Sequence, residues 1–136
     1  MDTKKFIDAL RDIEERANVE PMAQLFADDA RIWNPELQQP LVGRDGARRF
    51  WRDYRDTFAT VRSEFRSIIE GQGKSALEWE TTGTLEANRE PFRYRGASII
   101  DWSGDQITRF AAYFDPRALA VAPLRPLEVR RAEAAG

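Results

Sequence analysis

The chain has 136 residues, with 21 Lys and Arg against 23 Asp and Glu, no cysteine and no histidine. That length fits one domain with a single core, and fifteen aromatic residues mark it as globular rather than disordered. Without cysteine there is no disulfide, thiolate nucleophile or thiolate metal site, and the closely interleaved charges of "RDGARRFWRDYRD" build no field for nucleic acid or a membrane surface. Without histidine, acid–base chemistry falls to Asp, Glu, Tyr, Lys or bound water. No metal and no cofactor is expected.

Phe6, Ile7, Leu10, Ile13 and Ala17 recur at helical spacing and predict an opening amphipathic helix. Its sequence, "MDTKKFIDALRDIEE", is charged throughout and lacks the apolar run of a secretory signal, so a cytoplasmic location is expected. Pro21 suits the first turn of a second, short helix carrying Met22, Leu25 and Phe26. The acidic pair Asp28 and Asp29 reads as the end of that helix, and "ARIWN" as a brief strand ended near Pro35. Past the loop "PELQQPLVG", Asp45 is placed to cap a third helix with Phe50, Tyr54 and Phe58 on one face and Trp51 beside them.

From residue 60 the period changes to two, with Val61, Phe65 and Ile69 alternating against Arg62, Glu64 and Arg66. "SALEWETTGTLEA" and "PFRYRGASIIDW" are further strands joined by "NRE", and "SGD" turns into a last strand, "QITRFAAYFD". The expected order is three helices with one early strand, then a meander of four antiparallel strands.

The succession "LFADDARIWNP", "GRDGARRFW", "WETTGT", "YRGASI" and "GDQITRFAAYFDP" resembles the SnoaL-like branch of the nuclear-transport-factor-2-like superfamily over about residues 4 to 120. The resemblance implies an α+β fold: a cone-shaped barrel in which three N-terminal helices pack into a curved antiparallel sheet around a deep, mostly apolar pocket. It makes residues 1–120 a single SnoaL-like domain and 121–136 a C-terminal tail. It also implies a homodimer through the outer sheet face.

Relatives of this fold include ketosteroid isomerase, limonene-epoxide hydrolase and polyketide cyclases, and fold alone does not choose among them. The isomerases carry an Asp-Pro base where this chain has Asn34-Pro35. Their oxyanion-hole tyrosine and aspartate fall on Phe6 or Leu10 and on Ala97 or Ser98. The hydrolases share the Asn34 match, but their Arg-x-Asp pair falls on Trp79 and Thr81, or on Glu78 and Glu80 if the alignment slips by one. Their second Asp, like the cyclase acid, falls on Ala112, and a methyl group activates no water. Ketosteroid-isomerase and epoxide-hydrolase chemistry are therefore disfavoured.

Strand alternation adds a rule of its own. If Ala112 faces the pocket, so do Phe110 and Phe114, and matching brings Tyr94, Gly96, Ser98 and Ile100 inward. Trp79 and Thr81 face in unless a bulge exchanges them for Glu78 and Glu80. Asn34 reads either as a polar handle at the pocket floor or as a turn residue bonded to backbone. The expected ligand-binding set is Asn34, Phe50, Tyr54, Phe58, Trp79, Tyr94, Ser98, Phe110 and Phe114, with Asn34, Glu78 and Glu80 as the weak catalytic candidates.

Together these readings describe a pocket for a small apolar or polycyclic molecule, in a binding protein or in a cyclase, isomerase or lyase of secondary metabolism. The alternative is a non-catalytic dimerisation or interaction module whose aromatics fill the cavity. A nucleic-acid binder would need a basic stripe that the sequence lacks.

Overall fold

The structure is a computed structural model that describes residues 1–119, so the tail expected at 121–136 lies outside the described residues. Helix α1 spans Thr3–Arg16; Asp2 caps it by accepting from the Lys5 amide at 3.1 Å, and Ala17, with φ 57°, ends it. Phe6, Ala9, Leu10 and Ile13 lie on its buried face, with Phe6, Leu10 and Ile13 each contributing about 1.5–3 kcal/mol.

Helix α2 is a single turn, Glu20–Ala23, with Pro21 at its start. Leu25 and Phe26 lie beyond it, contrary to the helical reading of their spacing. The Leu25 carbonyl accepts from the Ile107 amide at 2.7 Å, and Phe26 opens strand β1, Phe26–Trp33. Asp28 and Asp29 accordingly stand exposed on a strand instead of closing a helix, and Arg44 pairs with Asp28 at 2.6 Å.

The short strand β2, Leu41–Val42, leads into α3, Gly43–Asp56. Gly43 has φ +74°, and a Cβ there would stand 2.7 Å from the Asp28 carbonyl oxygen, so the chain crosses β1 at a position only glycine fills without strain. Asp45 does not cap α3. The cap position is Val42, with no side-chain hydrogen bond, and Asp45 instead accepts from Arg48 at 2.6 Å. The helix ends at Asp56, so Phe58 leaves the stripe of Phe50 and Tyr54 and begins the next strand.

Strands β3 (Phe58–Gly71), β4 (Lys74–Leu85), β5 (Pro91–Ser103) and β6 (Gln106–Phe114) form the antiparallel meander, and a 3₁₀ turn, Pro116–Leu119, follows. The early strand joins the same curved sheet, in the order β2-β1-β6-β5-β4-β3, with β1 parallel to β6. Ile69 does not continue the inward series of Val61 and Phe65. A register shift between Phe65 and Ser67 reverses the faces, leaving Ile69 opposite Ala76 and 66% exposed.

The helices lie in the concave face of the sheet. One apolar cluster joins Phe6, Ile13, Met22, Trp51, Ile100 and Phe110; a second, toward the other end of the sheet, joins Phe58, Leu85, Phe92 and Tyr94. Tyr54, Phe65 and Phe114 pack against both. Among the described residues no helix is long and apolar enough to cross a membrane.

Candidate functional site

Between the helices and the concave sheet lies a cavity of about 310 Å³. This is at the lower end of the ~300–1,000 Å³ usual for ligand pockets. Helix α1 contributes Phe6 and Leu10, and α3 contributes Phe50, Trp51, Asp53 and Tyr54. The strands add Phe58, Ser63 and Phe65 from β3, Trp79 and Thr81 from β4, and Tyr94 and Ser98 from β5. Strand β6 supplies Phe110, Ala112 and Phe114, and Asn34, Glu36 and Leu37 come from the loop after β1.

Every residue expected to bind a ligand therefore lines this one cavity, Phe58 from a strand instead of a helix. The aromatic wall is built edge to face: the rings of Trp79 and Tyr94 lie 5.2 Å apart at 76°, and those of Tyr94 and Phe114 5.3 Å apart at 75°. Trp51 stands at the centre of a similar group with Phe6, Phe50, Tyr54 and Phe110.

The parity of β4 is settled by its register. Trp79 lies opposite Gly96 and Thr81 opposite Tyr94, all facing inward, so no bulge exchanges them for the glutamates. Glu78 is exposed, and Glu80 lies on the outer face, where it accepts from Arg66 and from Arg93 Nη1 at 3.2 Å. Neither carboxylate reaches the cavity. Arg93 is thereby engaged within its own sheet.

Asn34 combines its two readings. Its Oδ1 accepts from the Glu36 amide at 2.9 Å and fixes the turn, while the residue also lines the cavity, so only its amide hydrogens remain to donate.

The residue that sequence reasoning passed over is Glu14. It is 3% exposed and lies behind the cavity wall. Its Oε2 accepts from the Tyr54 hydroxyl at 2.9 Å, and its Oε1 from the Ser63 amide at 3.0 Å and from Arg11 Nη1 at 3.3 Å. Arg11 also donates to the Ser63 carbonyl. Because β3 is an edge strand, α1 thus satisfies both backbone groups of Ser63 that a further strand would take. The sequence signal was a charge placed four residues after Leu10, inside the apolar stripe.

Hydroxyls continue from this carboxylate into the wall. Ser63 Oγ lies 3.3 Å from the Tyr54 hydroxyl and 2.7 Å from Thr81 Oγ1. Trp79 Nε1 donates to Ser98 Oγ at 2.9 Å. Burial, then the Glu14 charge, raises the Tyr54 phenol well above its ordinary pKa, and the same two causes raise Tyr94. Both stay protonated at neutral pH. Among the described residues no group of three or more Asp or Glu is placed to hold a metal ion.

The SnoaL-like domain profile matches residues 4–110. The chain belongs to the SnoaL-like domain family. No curated protein matches this SnoaL-like domain. Among solved structures it is similar to an NTF2-like protein from Anabaena variabilis, at 17% identity and TM-score 0.75, covering 83% of this chain and 86% of that one. A putative isomerase from Rhodopseudomonas palustris is similar at 18% identity and TM-score 0.73, covering 88% and 93%. A putative SnoaL-like polyketide cyclase from Jannaschia matches at 9% identity and TM-score 0.72, covering 88% and 94%. At these identities the likeness is one of fold.

Proposed function

We propose that this SnoaL-like domain binds a small, flat, largely apolar molecule between the aromatic rings of its cavity. One observation carries the reading: the aromatics do not fill the interior, and about 310 Å³ stays open among Phe50, Trp79, Tyr94, Phe110 and Phe114. A module that only dimerised would have reason to close that space, since dry voids cost packing energy. The apolar side chains exposed on the outside, Val42, Ile68, Ile69 and Tyr113, give the interaction-module reading less support.

A second reading, an isomerase, lyase or cyclase acting on the bound molecule, is favoured by the buried carboxylate of Glu14 one hydrogen bond behind Tyr54. The fold's putative isomerase and cyclase relatives are compatible with it.

The test is a thermal-shift screen against planar aromatic, terpenoid and polyketide-like compounds, followed by titration of the hits. A ligand specific for the folded state stabilises by about 2.7 kcal/mol at a hundredfold excess over Kd. The shift is expected to vanish in Trp79→Ala. A hit whose shift survives that change binds elsewhere and overturns the reading.

A further inference from the structure

Only one direction makes every contact in the hydroxyl chain behind the cavity a hydrogen bond. Glu14 as a carboxylate only accepts, and three donors converge on it: Tyr54, the Ser63 amide and Arg11. The single proton of Tyr54 is thereby committed to Glu14, and its raised pKa keeps it in place at neutral pH. Ser63 then has to donate to Tyr54, across the longest link of 3.3 Å. With the Ser63 proton spent, Thr81 has to donate to Ser63 across 2.7 Å. Among the described residues Thr81 Oγ1 has no other partner, so only lone pairs are left to face the cavity.

The opposite polarity sits elsewhere on the wall. Ser98 accepts from Trp79 Nε1 and keeps its own proton to give, and Asn34 keeps its amide hydrogens. Ser98 pairs with Leu77, four residues along β4 from Thr81, which at 3.3 Å per residue separates the two poles by about 13 Å.

We propose that Glu14 sets the hydrogen-bond polarity of the cavity wall, so that the ligand places a hydroxyl donor, a phenol or an enol, against Thr81, Ser63 and Tyr54. The proposal deepens the binding reading above and rests on it. Glu14 is a positioning residue, acting through three hydroxyls without touching the ligand. Its second task, docking α1 on the edge of β3, uses Oε1 alone. Glu14→Gln separates the two tasks: the amide oxygen continues to serve Ser63 and Arg11, and the amide nitrogen donates to Tyr54. Every hydroxyl in the chain then turns round, and Thr81 presents a proton to the cavity.

Calorimetric titration at neutral pH with 2-naphthol and its methyl ether, 2-methoxynaphthalene, reads this directly. The two have the same flat ring system, but only the first donates. The parent is expected to bind naphthol at least about fivefold more tightly, the worth of one hydrogen bond with its unsatisfied alternative. Glu14→Gln is expected to abolish or invert that ratio, which a purely structural role for Glu14 would not do. Thr81→Val, which removes the terminal acceptor at nearly constant shape, is expected to abolish the ratio as well, and it keeps the test decisive if the Gln variant folds poorly. Equal affinities for the two probes in the parent, or a ratio unchanged in the variants, overturn the polarity proposal and leave a binding cavity standing. Binding of neither probe to the parent overturns both.

Discussion

The benzo ring of Trp79 occupies the space that a side chain on Gly96, its cross-strand partner, would need: a Cβ on Gly96 would lie 2.6 Å from Trp79 Cζ2 and 2.4 Å from the Tyr113 carbonyl oxygen. The absent side chain lets the indole lie against β5 and reach Ser98 with its nitrogen. Gly96→Ala is therefore expected to displace the ring, costing about 1–3 kcal/mol as an overpacked site. Urea unfolding followed by tryptophan fluorescence checks it. An unchanged midpoint together with an unchanged native spectrum would show that the ring does not depend on this glycine.

The donors gathered on Glu14 are expected to make it a costly carboxylate to remove. Glu14→Ala leaves Tyr54, Arg11 and the Ser63 amide facing a buried gap, and about 3–5 kcal/mol of stability is expected to go with it. Tyr54→Phe removes one donor and is expected to cost about 1–3 kcal/mol. Because the two share an interaction, the double variant should lose less than the sum, which a double-mutant cycle by denaturant titration measures.

At alkaline pH the buried phenols are expected to weaken stability. Tyr54 and Tyr94 have folded-state pKa values raised above the ordinary phenol value of about 10, by burial first and by Glu14 second. A raised group contributes stability that is complete below the unfolded-chain value and is lost as pH climbs from there toward the folded value. Unfolding free energy is thus expected to fall above about pH 10. The tyrosinate absorbance of these two residues should appear only as the chain opens, and Tyr94→Phe should flatten the decline.

The acid limb is expected to depend on the outer face. Hydrogen bonds from Arg66 and then Arg93 hold the Glu80 carboxyl below its ordinary pKa. A depressed carboxyl contributes stability present above its unfolded-chain value and lost as pH falls through the folded one. Glu80→Gln should therefore reduce the loss of stability on acidification, measured as thermal midpoint against pH. Since Glu80 lies outside the cavity, ligand affinity in the same variant should match the parent. A marked loss of affinity would return this carboxylate to the site.

Alternation along a strand and the stripe along a helix are properties of a few neighbouring residues. The sequence by itself therefore determined that Phe110, Ala112 and Phe114 share a face, that Tyr94 and Ser98 share another, and that Phe6, Leu10 and Ile13 bury one side of α1. The family resemblance supplied the closed architecture in which those faces meet.

Decisions between distant segments were left to the tertiary structure. Pairing with β6 drew Leu25 and Phe26 out of a helical pattern and made Asp28 and Asp29 strand residues; the end of α3 at Asp56 gave Phe58 to β3; and the irregularity after Phe65 turned Ile69 outward. The two readings of β4 differed by one residue, and only its pairing with β5 placed Glu80 outside and Thr81 within. Glu14 shows the reason most clearly. Its position in the stripe is local, but what satisfies its charge comes from Tyr54, forty residues on, and Ser63, forty-nine residues on. A buried carboxylate is tolerated only where the folded chain brings it donors, and no local pattern records where those donors come from.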